Sequence, residues 1–473
     1  MKTLFEEIKP EVAPPEPGAD YRRMLAVTLF YKAILFLCPD GKLDPKYRSG
    51  GEAIKRNTSQ GTQTFDTDKA VWPLNQPIPK LEALVQCSGE ATFANDLQST
   101  TGEVYGAFVC ADAKPGSIIN GFDNTEAMKV PGVIAFYTAQ DIPGDNTFAT
   151  LNLPLIVSEE EILCSKDVKF YGQPAAIIVA NREKTANKAA KLVIVKYASI
   201  SVKAPILTAQ DVLKSPEKSQ RVKNNKTVEP VDIGHDVQLV LKGEFNLETQ
   251  YHYYMEPQTC VVKPTEDGME VYSATQWLDM TNVAIAQCLK IPANSINVIV
   301  RRVGGSYGGK ISRSCQIACA AAIVSHLQGK VCRFIVPLQT NFKISGKRIP
   351  TFSTYDVGVN KEGEIQYLKN IFYQDNGCSP NETISSITVN HFLNCYDTRR
   401  WYIEANSVAT DTPSNTWCRA PSSTEGVAMI ENIMEQIAHK LGKDPLEVRM
   451  KNMLKEDNPI PELIAQLMKD SDY

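Results

Sequence analysis

The stretch Arg301-Arg302-Val303-Gly304-Gly305-Ser306-Tyr307-Gly308-Gly309-Lys310-Ile311-Ser312-Arg313 sets two glycine pairs around a serine and a tyrosine. Without a Cβ, glycine reaches positive φ and lets backbone approach a ligand that other residues would hold off. Upstream, Ile296 to Val300 (Ile-Asn-Val-Ile-Val) reads as a strand; downstream, Cys315, Ala318, Cys319, Ala322, Ile323 and His326 share one helical face. The local plan is strand, glycine-rich loop, helix, and the start of a helix offers free N–H groups to an anion or a polarised ligand. The spacing matches neither G-x-G-x-x-G nor the phosphate-binding P-loop, since Lys310 is followed by Ile311. Taken alone, the loop reads equally well as a tight turn without a ligand.

At 473 residues and 43% hydrophobic, the chain has length for about three domains. A net charge of -4 with 22% charged residues gives no broad basic field, so neither nucleic acid nor a membrane surface is expected as partner. A small molecule or another protein segment fits better. The first ten residues lack the apolar core of an export signal, and the apolar run Met24 to Cys38 is broken by Tyr31 and Lys32 and is short for a membrane span, which points to a cytoplasmic protein. Twelve cysteines occur without a C-x-x-C pair, as expected of reduced, packed thiols rather than disulfides or a zinc or iron–sulfur site.

In chain order, residues 1–20 read as a proline-rich acidic tail, Tyr21 to Leu37 as a helix, and Cys38 to about Ile78 as a polar surface linker. Between Cys87 and Val202, strands at Gly106–Ala111, Gly132–Tyr137 and Ala175–Ala180 alternate with a helix at Arg182–Lys191 and a run at Leu192–Tyr197, a compact α+β module. Residues 208–233 read as a second polar connector. Strands follow at Val237–Phe245 and Gly268–Ala274, then a helix at Asp279–Leu289 with Asp279 as candidate N-cap. Beyond the glycine loop come a strand at Val331–Val336, a hairpin at Thr354–Val359 and Ile365–Phe372, and a helix at Glu425–Leu441 closed by Gly442. Asp444-Pro445 starts another helix, and the chain then ends in polar residues with no evident closing element.

Several ordered segments resemble the molybdenum hydroxylases, the family of aldehyde oxidase and xanthine dehydrogenase. They are Tyr21-Arg22-Arg23-Met24-Leu25 to Leu37, Ser88-Gly89-Glu90-Ala91, Tyr251-His252-Tyr253-Tyr254-Met255-Glu256-Pro257, Ser273-Ala274-Thr275-Gln276, the loop Gly304–Lys310, and Ser414-Asn415-Thr416-Trp417-Cys418-Arg419. The resemblance implies a multidomain α+β chain: residues 1–42 as the end of an FAD domain, 43–84 as a linker, 85–205 as an α/β hammerhead domain, and 206–473 as the first half of a molybdopterin-binding domain. Residue by residue, it implies that Gln276 orients a ligand of the molybdenum, that Gly305, Ser306, Tyr307 and Gly308 line the molybdopterin, and that Arg419 reaches the same cofactor. No residue here is implied to ligate the metal directly. An amide can donate to a metal-oxo group and arginine offers fixed donors to an electron-rich one, so the residue types suit the chemistry.

Departures from the family pattern bear on substrate. Xanthine-specific members place a glutamate directly after the loop lysine and an arginine further on; here those positions hold Ile311 and, by spacing from Asn376-Gly377, Asn390. An apolar side chain cannot pair with a polar heterocycle, so the resemblance implies an aldehyde substrate. The run Trp417 to Gly426 is similar to the insect aldehyde oxidase form. Ser306 and Ser422 stand where glycine is expected, each adding a Cβ beside the cofactor. The resemblance further implies oxidation of aldehydes to carboxylic acids, with electrons passing through 2Fe-2S clusters and FAD to oxygen, in a homodimer when full length. It places the iron–sulfur domains before residue 1 and the glutamate that serves as general base after residue 473, so the expectation is an internal fragment or truncated form inactive on its own. The alternatives are a non-catalytic paralogue acting through partner binding, and a xanthine dehydrogenase fragment.

Overall fold

The structure, a computed structural model, describes residues 2–12, 17–39, 41–52, 67–151 and 153–473, which fall into two compact units, Met1–Ala83 and Leu84–Tyr473. In the first unit the helix Ala19–Leu37 carries the expected apolar run. Leu35 is its buried residue, while Leu29, Phe30, Ile34 and Leu37 stay exposed. Part of the expected tail is a short helix, Lys2–Glu7, tied on where Arg23 Nε donates to the Ile8 carbonyl at 2.8 Å and its guanidinium lies 5.1 Å from the centre of the Phe5 ring. The expected linker holds a short helix, Pro45–Arg48, and a 3-10 turn, Lys69–Val71; its stretch 53–66 lies outside the described residues.

The second unit is α+β and is organised by two sheets. The larger runs, in spatial order, Ile296–Ile299, Met269–Ser273, Thr259–Pro264, Cys332–Ile335, Val104–Ala111, Gln173–Ala180, Val133–Thr138. Val104–Ala111 pairs parallel with Cys332–Ile335 and antiparallel with Gln173–Ala180, so early and late parts of the chain share one sheet. Every residue of Gln173–Ala180 is buried, the mark of a strand covered on both faces. The alanines Ala186, Ala189 and Ala190 of the helix Glu183–Ala190 pack with Ala107, Val109 and Ile178 of that sheet. The helices Leu278–Leu289 and Arg313–Gln328 share a larger core with Val104, Phe108, Val262, Val271 and Phe334.

The second sheet has the order Val222–Val228, Trp401–Val408, Ile365–Asp375, Thr351–Val359, Leu239–Leu247. Its core is closed by the helices Ser385–Leu393 and Ser423–Leu441. The stripe Ile430, Ile433, Met434, Ile437, Ala438 is buried against Phe372, Trp401 and Ile403, and Gly442 caps the helix at φ +62. Asp444 caps the next helix, Pro445–Asn452, by accepting from the Leu446 and Glu447 N–H groups.

Four expectations are corrected. The polar connector 208–233 contains two short helices and the edge strand Val222–Val228, which pairs antiparallel with Trp401–Val408. An edge strand with one face in water needs little apolar sequence, and lysines there discourage further pairing. Trp277, not Asp279, occupies the N-cap of Leu278–Leu289, and no side chain caps it. The helix Arg313–Gln328 is buried over Arg313–Ser325 on all sides rather than along one face, and His326 is exposed. Finally, an amphipathic helix, Ile460–Ser471, ends the chain, with Ile460 and Ile464 against the second core.

Candidate functional site

The strand Ile296–Ile299 delivers the glycine loop, which turns through Gly305 at φ +91, Tyr307 at +52 and Gly308 at +101 before the helix begins at Arg313. Tyrosine in the left-handed region costs on the order of 1 kcal/mol or more and persists only where its surroundings impose it. Here they do: a Cβ on Gly308 would lie 2.1 Å from the Trp417 carbonyl oxygen, so the loop is pressed onto a second loop. That second loop descends from Trp401–Val408 and is itself wound left-handed at Arg419, Ala420 and Ser422, with φ of +32, +53 and +67. The Arg419 N–H donates to the Tyr307 carbonyl at 2.9 Å, and its guanidinium carbon sits 4.0 Å from the centre of the Tyr307 ring.

Gln276 joins them from a third direction, two residues after the buried Ala274. Its N–H donates to the Lys310 carbonyl at 2.8 Å, and its side-chain Oε1 accepts from Gly308 N–H at 3.1 Å and Lys310 N–H at 3.4 Å. With the oxygen so engaged, the amide Nε2 has no protein acceptor among the described residues and remains an outward donor. The structure thus brings Gln276, Gly305, Ser306, Tyr307, Gly308 and Arg419 together. Ser306 is half-buried and its carbonyl accepts from Gly309 N–H; Ser422 is buried. Ile311 is half-buried where the loop meets the helix, its N–H on the Gly308 carbonyl at 3.3 Å. Asn390 lies elsewhere, exposed on Ser385–Leu393 with its Oδ1 accepting from Lys226 Nζ at 3.1 Å.

Beneath the loops lie buried charges that spacing alone does not reveal. Lys310 is wholly buried; its Nζ donates to Glu256 Oε2 at 2.9 Å, and the same oxygen accepts from Gly304 N–H at 2.9 Å, so one carboxylate closes both ends of the loop. Burial lowers the Lys310 pKa, with Glu256 opposing the shift. Arg313, the first helical residue, makes a bidentate pair with Glu160 at 2.6 and 2.7 Å, and Asn381 and Ser414 also donate to that carboxylate. Burial would push Glu160 up, but Arg313, Asn381 and Ser414 outweigh it and bring its pKa down to about 2. Glu382 accepts from Ser312 Oγ and from Trp417 N–H, bridging the loop's end to the second loop; burial raises its pKa against the pull of Arg313. Arg348 pairs with buried Glu425 at 2.8 Å and donates to the Arg419 carbonyl at 2.9 Å. Within the sequence, the one available signal was an arginine heading an otherwise apolar helix.

Chemically, the surface between the loops presents hydrogen-bond donors. Among the described residues the N–H groups of Gly305, Ser306, Tyr307 and Ala420 meet no protein acceptor, and they stand beside the Gln276 amide and the exposed Arg419. Such a set suits an anionic, oxygen-rich group. No group of three or more His, Cys, Asp or Glu side chains able to hold a bare metal ion is found among the described residues.

Residues 217–453 match the family model of the molybdopterin cofactor-binding domain, and residues 88–201 that of the aldehyde oxidase and xanthine dehydrogenase a/b hammerhead domain. The chain is 30% identical over 455 residues to a xanthine dehydrogenase of Dictyostelium discoideum, covering 93% of this chain and 33% of that one. To aldehyde oxidase 3 of Rattus norvegicus it is 29% identical over 480 residues, 96% of this chain and 34% of the other. It therefore spans about a third of the length of the curated relatives it matches. The aldehyde oxidoreductase structure from Desulfovibrio desulfuricans superposes with a TM-score of 0.72 at 20% identity, over 84% of this chain and 46% of that one, a likeness of fold.

Proposed function

Since the chain belongs to the molybdenum hydroxylase family of aldehyde oxidases and xanthine dehydrogenases, we propose that it forms the cofactor-facing part of an aldehyde oxidase that converts aldehydes to carboxylic acids. The observation that carries this reading is the meeting of the two left-handed loops and Gln276 around a surface of unpaired donors. The donor set fits an anionic molybdopterin: Gly305, Ser306, Tyr307 and Gly308 would form one wall, Arg419 the other, and the Gln276 Nε2 amide would donate to an oxygen of the group. When bound, that cofactor supplies the oxidation and accepts the electrons.

The chain's own residues bind, orient and exclude. Gln276 is held by its oxygen on two loop N–H groups, so its amide hydrogens keep a fixed direction without reorganisation. The Tyr307 ring supports the Arg419 guanidinium, which keeps a cation at the rim. Ile311 offers an apolar surface at the inner end of the loop, which suits an aldehyde and leaves a purine's polar edge unpaired. In the full-length protein, electrons pass on through 2Fe-2S and FAD groups carried by other parts of the enzyme, which is cytoplasmic and homodimeric in this reading. No helix of the described residues is long and apolar enough to cross a membrane.

The test is metal and pterin analysis of the chain purified from a host that makes the cofactor, followed by benzaldehyde and xanthine turnover in a protein of the relatives' full length. Molybdenum bound together with pterin, and oxidation of benzaldehyde in preference to xanthine, are expected. Absence of both metal and pterin removes the enzyme reading, and preference for xanthine removes the aldehyde reading.

A further inference from the structure

One buried side chain touches both site-forming loops without reaching the surface between them. His252 is 1% exposed. Its Nε2 lies 2.7 Å from the Trp417 carbonyl oxygen and 3.1 Å from Thr416 Oγ1. A carbonyl only accepts, so Nε2 carries the hydrogen and Nδ1 keeps its lone pair, which has no partner. The other face of the ring rests on the glycine loop: a Cβ on Gly309 would lie 2.7 Å from Cγ and 2.8 Å from Nδ1. The His252 backbone carbonyl completes the contact by accepting from Arg419 Nε at 3.3 Å and Nη2 at 3.1 Å. Resting on this cofactor reading, we infer that His252 is a positioning residue that locks the Gly304–Lys310 loop against the Trp417–Arg419 loop through its Nε2–H bond to Trp417, and so sets the width of the cofactor seat.

Three features support the lock. The Trp417 carbonyl is the atom Gly308 is pressed against, so the hydrogen bond fixes the point where the loops touch. Tyr254 stacks on the imidazole with ring centres 6.0 Å apart, and Gln258 Nε2 donates to the Gly309 carbonyl at 2.7 Å, so the ring's own position is fixed from below. Burial, aided by the positive charges of Arg348, Lys347 and Arg419, lowers the imidazole pKa to about 4 against the pull of the Trp417 carbonyl, keeping a single hydrogen on the ring.

The test compares His252→Gln, whose amide nitrogen can stand in for Nε2, with His252→Leu, which fills the space without a donor, and His252→Asn, whose shorter amide stops near the position of Nδ1 and does not reach the Trp417 carbonyl. Amide hydrogen exchange is read on peptides covering residues 303–312 and 416–422 of the intact chain, alongside pterin retained through purification. Leu and Asn are expected to speed exchange about tenfold in both peptides, as loss of one buried hydrogen bond implies, with less pterin retained; Gln should stay close to wild type in both. Should Leu fail to fold, Asn carries the comparison. Exchange unchanged in Leu and Asn, or Gln behaving as they do, overturns the lock. The exchange readout needs no cofactor, so a wild-type chain without pterin that still shows the expected exchange order rejects the cofactor reading alone, while pterin binding with flat exchange rejects the lock alone.

Discussion

Replacing Gly308 with alanine tests whether the two loops are seated on one another as described. Gly308 has φ +101, and a Cβ there would lie 2.1 Å from Trp417 O and 2.5 Å from Trp417 C. The backbone conformation alone costs about 1–3 kcal/mol for an L side chain. Contact at ordinary van der Waals distance requires the loops to part by roughly 1 Å, because the obstacle is backbone rather than a flexible side-chain end. Parting them breaks the Arg419 N–H bond to Tyr307 and the Gly308 N–H bond to Gln276, each worth about 1 kcal/mol net. The sum is about 3–5 kcal/mol. Gly329→Ala is the control, since Gly329 also has positive φ, +62, but nothing lies within 4 Å of its added Cβ; it should cost only about 1 kcal/mol. Urea unfolding followed by tryptophan fluorescence gives both values, and hydrogen exchange on residues 303–312 reports the local part. Equal costs for the two alanines, within about 0.5 kcal/mol, would mean that the two loops are not seated on one another at Gly308.

Glu160→Gln leaves Arg313 buried without its charge partner and should destabilise the second unit by about 3–5 kcal/mol, read from the shift in its urea midpoint; a shift under a third of that would mean Arg313 finds another anion. Burial raises the Asp375 pKa from 3.8 to about 6, against bonds from Gly377 N–H and Thr410 Oγ1. The folded state therefore binds the proton more tightly, and this contribution is present below pH 3.8 and lost as pH rises through about 6. Asp375→Asn should then stabilise the chain at pH 8 and have little effect at pH 4, which unfolding at the two pH values decides. His252 has the opposite sign: its folded pKa of about 4 against 6.5 means stability is full above 6.5 and falls as pH drops toward 4, by roughly 3 kcal/mol in total. His252→Gln should remove that acid limb, and an unchanged limb would place its origin in other groups. Of the twelve cysteines, Cys87 is the exposed one and seven are buried; a thiol reagent should label Cys87 first in the native chain and all twelve after unfolding.

Periodicity was enough to place Arg182–Lys191, Glu425–Leu441 and the hairpin, because burial of one face leaves its repeat in the residues themselves. It was not enough for Val222–Val228, whose polar residues face water and whose strand exists because Trp401–Val408 offers it a partner. The closing helix Ile460–Ser471 is faint in the sequence for a related reason: its short apolar stripe gains meaning only from the core it leans on. Asp279 has the residue type of a cap, yet the N-cap falls two residues earlier, at the still-extended Trp277, so Asp279 lies inside the first turn.

For the site, the sequence by itself determined the local chemistry: a strand, a loop able to reach positive φ, a helix, and the ordered motifs that mark the family. The family resemblance singles out Gln276, Tyr307 and Arg419, each within its own segment. Their mutual arrangement was decided by tertiary structure, since Tyr307 and Arg419 lie far apart in the chain and meet only because their strands belong to two different sheets whose ends converge. The same holds for the buried pairs Lys310–Glu256, Arg313–Glu160 and Arg348–Glu425. A lysine or arginine reads as a surface residue until its carboxylate arrives from elsewhere, because only the folded chain removes the water that would otherwise solvate it.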